Sequence, residues 1–202
     1  MASIYAIKPA FQNLLRPLCR WLAGRGITAN EVTVSALLLS VMTGVLLALG
    51  HAHTLVFLLL PFVLFIRMAL NAIDGMLARE HAMQSPLGAL LNELCDVVSD
   101  TALYLPFALL PVVSPWLVVM GVICAVISEM TGVIAVQIGA TRRYDGPMGK
   151  SDRAFVFGAV ALALAVGIAP GPWLNWLFAV VLALNLFTVI NRARHALLEV
   201  AA

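Results

Sequence analysis

The sequence predicts an all-α integral membrane protein, with six transmembrane helices preceded by an N-terminal amphipathic interfacial helix. Three observations carry this. Of the 202 residues 62% are hydrophobic and 11% charged, with a mean hydropathy of +1.01, whereas a soluble domain is about a quarter charged. Apolar runs near the ~20 residues that a helix needs to cross a bilayer recur along the whole length. The basic residues fall in alternate connections between those runs.

The chain reads as a single membrane domain over residues 1–202, with an interfacial helix at 1–25 and a six-span bundle at 26–195. No cleavable signal peptide precedes the first span, so that span is expected to insert uncleaved. Cys19, Cys95 and Cys124 show no paired spacing and read as free thiols packed like small hydrophobes. The main partner implied is the lipid bilayer, and no nucleic acid.

Taken in order, Ile4, Ile7, Phe11, Leu14, Leu15, Leu18 and Leu22 recur at helical spacing, with Lys8, Gln12, Arg16 and Arg20 between them. That pattern suits a helix lying on a membrane surface, and Pro9 and Pro17 are expected to break it into two pieces. The spans follow at 31–49, 54–80, 86–110, 115–140, 152–169 and 172–191. Asn30 is the expected cap of the first. Ser85-Pro86, a capping residue before a first-turn proline, opens the third. Ser151 or Asp152 is expected to cap the fifth.

Six spans place both termini on one side. Lys8, Arg16, Arg20 and Arg25 precede the first span. Arg79 lies in the second connection, and Arg142, Arg143, Lys150 and Arg153 lie in or beside the fourth. Arg192 and Arg194 follow the sixth. The positive-inside rule makes this side cytoplasmic, and the bacterial inner membrane is the expected location. Arg67 is the one basic residue inside a span. His51, His53 and His81 read as solvated loop residues.

Ionisable groups inside a membrane are costly and default to function or pairing. Here they are Arg67, Asp74, Glu93, Asp96, Asp100 and Glu129. On the second span Arg67, Asn71, Asp74 and Ala78 share one face by their spacing. On the third, Gly88, Asn92, Asp96 and Asp100 share another. Both faces descend from the same cytoplasmic connection, so Asn71, Asp74, Asn92 and Asp96 converge within a few turns of the surface. Oxygen side chains gathered at one depth suit a hard cation such as Mg²⁺. Gly75, Ala78 and Gly88 clear space beside them. Arg67 requires a partner at its own depth, and Asp100 and Glu129 fit. The resulting buried cluster either orients the site or registers the helices.

The stretch Asn71-x2-Asp74-Gly75-x2-Ala78-Arg79-x8-Gly88-x3-Asn92-x3-Asp96 resembles the signature of the CDP-alcohol phosphotransferase (CDP-alcohol phosphatidyltransferase) family, D-x2-D-G-x2-A-R-x8-G-x3-D-x3-D. The six-span layout, the leading amphipathic helix and the ITAN sequence before the first span are similar too. The resemblance implies displacement of CMP from a CDP-linked donor, such as CDP-diacylglycerol, by a small hydroxyl acceptor. It implies metal ligation by Asp74, Asp96, Asn71 and Asn92, and a general-base role for Asp96. Gly75, Ala78, Arg79 and Gly88 would bind the nucleotide. Arg142, Lys150 and Arg153 lie in the region that neighbours the acceptor pocket in phosphate-using members, and anchoring to anionic headgroups is the competing reading of that basic cluster. A homodimer is also implied.

This chain departs from the signature at its first and third aspartates, which are Asn71 and Asn92. An amide oxygen can ligate but brings no charge. The expectation is therefore one tightly bound Mg²⁺ or Mn²⁺ rather than two, with Glu93 or Asp100 as alternative compensation. Two competing classes stay open: a catalytically impaired CDP-lipid-binding homologue, and a membrane transporter, whose path midplane charges would mark.

Overall fold

The structure is a computed structural model that describes the backbone of residues 4–201 and side chains from Pro9 onward. Helices α1 (Ile4–Gly24) and α2 (Ala29–Gly50) come first. A 3-10 turn, Thr54–Leu58, leads into α3 (Leu59–Glu80). Helix α4 (Pro86–Tyr104) continues into a second 3-10 turn, Leu105–Leu109. Helix α5 (Pro115–Ile134) ends in a third, Ala135–Ile138, and α6 (Lys150–Ala165) and α7 (Trp173–Val200) complete the chain.

The helices after α1 occupy the six expected span positions. Four segments are long and apolar enough to cross a membrane: Ala29–Gly50, Thr54–Glu80, Pro115–Ile138 and Trp173–Val200. Helix α4 carries Glu93, Asp96 and Asp100, which lower its hydropathy. Helix α6 has 16 residues, about 24 Å at 1.5 Å per residue.

Several local expectations are corrected. Helix α1 is continuous through Pro9 and Pro17; each proline removes one backbone donor without ending the helix. The cap of α2 is Thr28, not Asn30. Glu31 Oε2 accepts from the Thr28 N–H at 2.7 Å, and Thr28 Oγ1 accepts from the Glu31 N–H at 3.3 Å, a reciprocal capping box. Thr28→Ala is therefore expected to cost about 1 kcal/mol, read as a lower unfolding temperature in detergent. Helix α6 starts two residues earlier than expected, at Lys150. Its cap is Gly149, whose N–H donates to Asp152 Oδ2 at 2.9 Å. Ser85 caps α4 as expected, its Oγ accepting from the Gly88 N–H at 3.0 Å. Helix α7 runs nine residues past the expected boundary at 191, to Val200.

Two compact units are distinguished: residues up to Met42 with Phe62–Ser99, and Thr43–Pro61 with Asp100 onward. In the first, Cys19 of α1 packs with Ala29 and Val32 of α2 and with Ile73, Met76 and Leu77 of α3. One face of α1 is thus core. Leu14, Leu18 and Trp21 on its other side are exposed. Arg16 grips Glu80 through two hydrogen bonds of 2.9 and 3.2 Å. The pair is exposed and contributes about 0–1 kcal/mol, so apolar contact does most of the docking.

In the second unit Phe157 stacks on Tyr104 with centroids 4.2 Å apart and on Phe178 at 5.6 Å, while Phe107 meets Phe157 edge-on at 5.1 Å. Phe178, Val181, Asn185, Thr188, Arg192 and Ala196 form one buried stripe of α7. Asn175 ties α7 to the turn before α5, accepting from the Ser114 N–H at 2.7 Å and donating to the Val112 carbonyl at 2.8 Å.

Candidate active site

The first unit holds the signature residues. Asp74 is buried on α3, and its Oδ2 accepts from Thr33 Oγ1 of α2 at 2.8 Å. On α4, Asp96 Oδ1 accepts from Asn71 Nδ2 at 3.3 Å and from Arg67 Nη2 at 3.4 Å. Arg67 also donates to the Asp96 backbone carbonyl at 3.1 Å. The face of α3 read from spacing therefore does bring Arg67 and Asn71 onto Asp96 of α4. Had position 71 been an aspartate, two carboxylates would face each other there; the amide of Asn71 instead donates to Asp96.

Asp74, Gly75, Ala78, Gly88 and Asn92 line an open cavity of ≈ 460 Å³, together with Asn30 and Thr33 of α2 and the 83–86 connection. Gly88 is required by close approach, because a Cβ there would lie 2.8 Å from Asn30 Oδ1 and 3.1 Å from Ser85 Oγ. The exposed Arg79 folds its guanidinium back over Gly75, 3.1 Å from where a Cβ would stand. Asn30 and Thr33 were missed as site residues. A threonine on a span otherwise built from aliphatic residues was the available signal. Thr33→Val is expected to leave the fold intact and weaken divalent-cation dependence by about tenfold, since groups that orient a ligand typically matter by 10–100-fold. A cation titration of activity checks it.

Among the described residues no three His, Cys, Asp or Glu side chains converge as a metal site would require. Any cation here has to take amide as well as carboxylate oxygens.

The second unit contains a buried ion cluster. Arg153 of α6 and Arg192 of α7 are each 1% exposed. Arg153 Nη2 lies 2.9 Å from Glu129 Oε1 of α5 and 3.3 Å from Asp100 Oδ2. Arg192 reaches Glu129 Oε2 at 3.3 Å and donates to the Ser128 carbonyl at 2.5 Å. Arg142 Nη2 stands 3.8 Å from Glu129 Oε2, with its guanidinium over the Tyr144 ring at 4.5 Å. Depth counting grouped Asp100 and Glu129 with Arg67; the structure adds Arg153 to both acids and Arg192 to Glu129, and sets Arg67 on Asp96. Lys150 is half-buried at the start of α6.

The connection from α5 to α6 is held over this cluster. Arg143 forks onto Asp145 at 2.7 and 3.0 Å and also reaches Glu199 at 2.7 Å. The Arg143 guanidinium beside it holds the Asp145 carboxyl below the usual carboxylate range. Gly146 has φ +119 and lies against Thr188, so only glycine fits the turn.

Known proteins resemble this chain in sequence and in fold. The CDP-alcohol phosphatidyltransferase family profile matches residues 26–190. Inner membrane protein YnbA of Escherichia coli K12 is 52% identical over 97% of both chains. A phosphatidylinositol phosphate synthase of Mycobacterium marinum is 29% identical over 91% of this chain and 77% of its own. The phosphatidylinositol phosphate synthase of Mycobacterium tuberculosis, solved with CDP-DAG bound, superposes with a TM-score of 0.73 at 20% identity, over 91% of this chain and 92% of that one. The same enzyme solved with manganese and citrate gives 0.73 at 19%, over 90% and 88%. With a profile match from the start of α2's approach to the body of α7, and one relative identical at half of all positions, the chain belongs to the CDP-alcohol phosphatidyltransferase family.

Proposed function

We propose that this chain is an active phosphatidyltransferase, moving the phosphatidyl group of a CDP-diacylglycerol-type donor onto a small hydroxyl acceptor and releasing CMP. The observation that carries the reading is the cavity: five signature positions, Asp74, Gly75, Ala78, Gly88 and Asn92, line one space. A lipid donor is supported by the apolar helices and by the CDP-DAG bound to the solved mycobacterial synthase.

The carboxylates of Asp74 and Asp96, with the amide oxygens of Asn71 and Asn92, would hold one Mg²⁺ or Mn²⁺. Such a cation would supply charge neutralisation to a pyrophosphate. Thr33 fixes the rotamer of Asp74. Arg79, folded over Gly75, adds a cation at the cavity edge for the nucleotide phosphates. Arg67 and Asn71 hold Asp96 in place. The Asp96 carboxylate accepts the acceptor's hydroxyl proton as the oxygen bonds to the β-phosphorus and the bond from that phosphorus to the bridging oxygen breaks. CMP carries that oxygen away.

All six helices after α1 cross the inner membrane in this reading, with α1 interfacial through Leu14, Leu18 and Trp21, and with the site and both termini cytoplasmic. Arg142, Lys150 and Arg153 form the acceptor side, and the protein is a homodimer. The binder reading draws on one feature: Asp96 Oδ1 already accepts from both Arg67 and Asn71. The test is CMP release by purified protein from CDP-diacylglycerol with Mg²⁺ or Mn²⁺ across a panel of alcohols. Acceptor-dependent release supports the transferase. Donor binding without release on any acceptor selects the binder.

A further inference from the structure

One face of the last turns of α7 is given over to a single neighbour, the α5–α6 connection at 139–149. Thr188, Arg192, His195, Ala196 and Glu199 follow the three-four spacing of a helix face, and each meets that connection. Thr188 Oγ1 accepts from the Met148 N–H at 3.0 Å. Arg192 Nε donates to the Asp145 carbonyl at 3.1 Å. His195 Nδ1 stands 3.4 Å from Asp145 Oδ1, and Ala196 packs with Ala140. Glu199 accepts three bonds: from the Thr141 N–H at 3.0 Å, from the Thr141 hydroxyl at 3.0 Å and from Arg143 Nη1 at 2.7 Å.

The connection is fastened unevenly along its length. Ala140 and Met148 are buried at its two ends, and no residue between them is. Residues 141–147 are therefore held by polar bonds rather than by apolar burial. Besides the bonds to Glu199 and Arg192, the Arg143 N–H donates to the Gly132 carbonyl at 3.2 Å, and Arg142 Nη2 lies 3.8 Å from Glu129 Oε2. Segments with few buried apolar contacts open locally without global unfolding. Gly139, at φ +90 and with nothing within 4 Å of where a Cβ would stand, gives the segment a swivel.

We propose that residues 141–147 form a strap that opens as one piece between Ala140 and Met148, that Glu199 is its latch, and that opening bares Arg192. The device stands apart from the transferase reading and does not need it. With the strap shut, the Asp145 carbonyl covers Arg192, which is 1% exposed. With the strap lifted, Arg192 Nε faces water, while its Nη1 and Nη2 keep Ser128 and Glu129. The helices beneath thus retain their ion pairs, and the bonds that break are ones water replaces. Glu199 sits in the last turn of α7, where helices fray, so fraying there releases Thr141 and Arg143 together.

The test uses the full-length protein in lipid nanodiscs. Trypsin nicking after Arg142 or Arg143 reads the open strap, and phenylglyoxal labelling, mapped by mass spectrometry, reads access to Arg192 and Arg153. Glu199→Ala is expected to be nicked about tenfold faster than wild type, the scale of one charge-assisted bond, because cleavage follows the population of the open form. Arg192 labelling should rise in proportion, with Arg153 labelling and the unfolding temperature unchanged. Unchanged nicking overturns the latch. Faster nicking with Arg192 still protected overturns the strap as its cover. Faster nicking with Arg153 labelled and the unfolding temperature lowered is general loosening and overturns the device. Where the variant does not accumulate, the wild type decides. Raising NaCl from 0.05 to 1 M shortens the screening length to about 3 Å, and should speed nicking, relative to an unfolded peptide, and Arg192 labelling together; no rise overturns the proposal.

Discussion

Asp96→Asn is expected to lower acceptor-dependent CMP release by about 10²–10⁴-fold, the range that a positioned general base supplies. The substitution isolates one property. Asparagine at 96 keeps an oxygen able to accept from Arg67 and Asn71, which now do so at 3.4 and 3.3 Å, and the Arg67 bond to the backbone carbonyl at 3.1 Å is untouched. The fold and the helix contacts should therefore survive, and the unfolding temperature should move little. What is lost is a negative charge and a proton acceptor. Those two losses separate by cation titration. If Asp96 serves only as a ligand, excess Mn²⁺ restores release to near wild type. If it takes the proton, release stays low at saturating cation while CDP-diacylglycerol binding persists. Full activity in Asp96→Asn would remove the residue from the mechanism altogether.

That experiment also addresses the two asparagines. Asn71 is not a passive replacement for a carboxylate, because it donates to Asp96. Together with Arg67 it supplies positive and dipolar character at a place where the family signature would put a second acid.

The helix order and most of the site were legible because both are written in short-range spacing. Ionisable residues on a three-four period in apolar runs fix which face of a helix they share, and Gly75, Ala78 and Gly88 mark where space must be. Ser85-Pro86 announced α4. Other features were present but misread. Thr28 and Glu31 spell a capping box that Asn30 obscured. Arg192 was taken as a loop cation after the sixth span, yet it continues the 178, 181, 185, 188 stripe of α7 by another turn. The approach of Asn71 to Asp96 follows from spacing, but the pairing of the buried charges does not. Spacing gives depth and face, and at a similar depth several cations and acids compete. Only the packing shows that Arg153 serves Asp100 and Glu129, and that Arg67 serves Asp96.

Arg153→Met is expected to have the largest effect on stability, a loss of about 3–5 kcal/mol, as when one partner of a buried ion pair is removed. The reasoning is local. Arg153 is fully buried and touches two acids, and its Nη1 donates to the Met148 carbonyl at 3.1 Å. Methionine fills much of the volume but removes the guanidinium that Asp100 and Glu129 share. Glu129 retains Arg192 and Arg142. Arg153→Met combined with Asp100→Leu removes one charge of each sign and is expected to recover a large share of the loss, whereas Arg153→Met with Glu129→Gln should recover less, because Arg192 then loses its carboxylate. Arg153→Lys should fall between, keeping the charge but losing the fork that spans both acids. Half-unfolding temperatures in detergent, set beside the exposed pair control Arg16→Ala at about 0–1 kcal/mol, give the ordering. If Arg153→Met is no worse than Arg16→Ala, the cluster does not hold the second unit together. If the Asp100 rescue fails while the protein still folds, the stress lies on Glu129, and the arginines are held for that carboxylate rather than for Asp100.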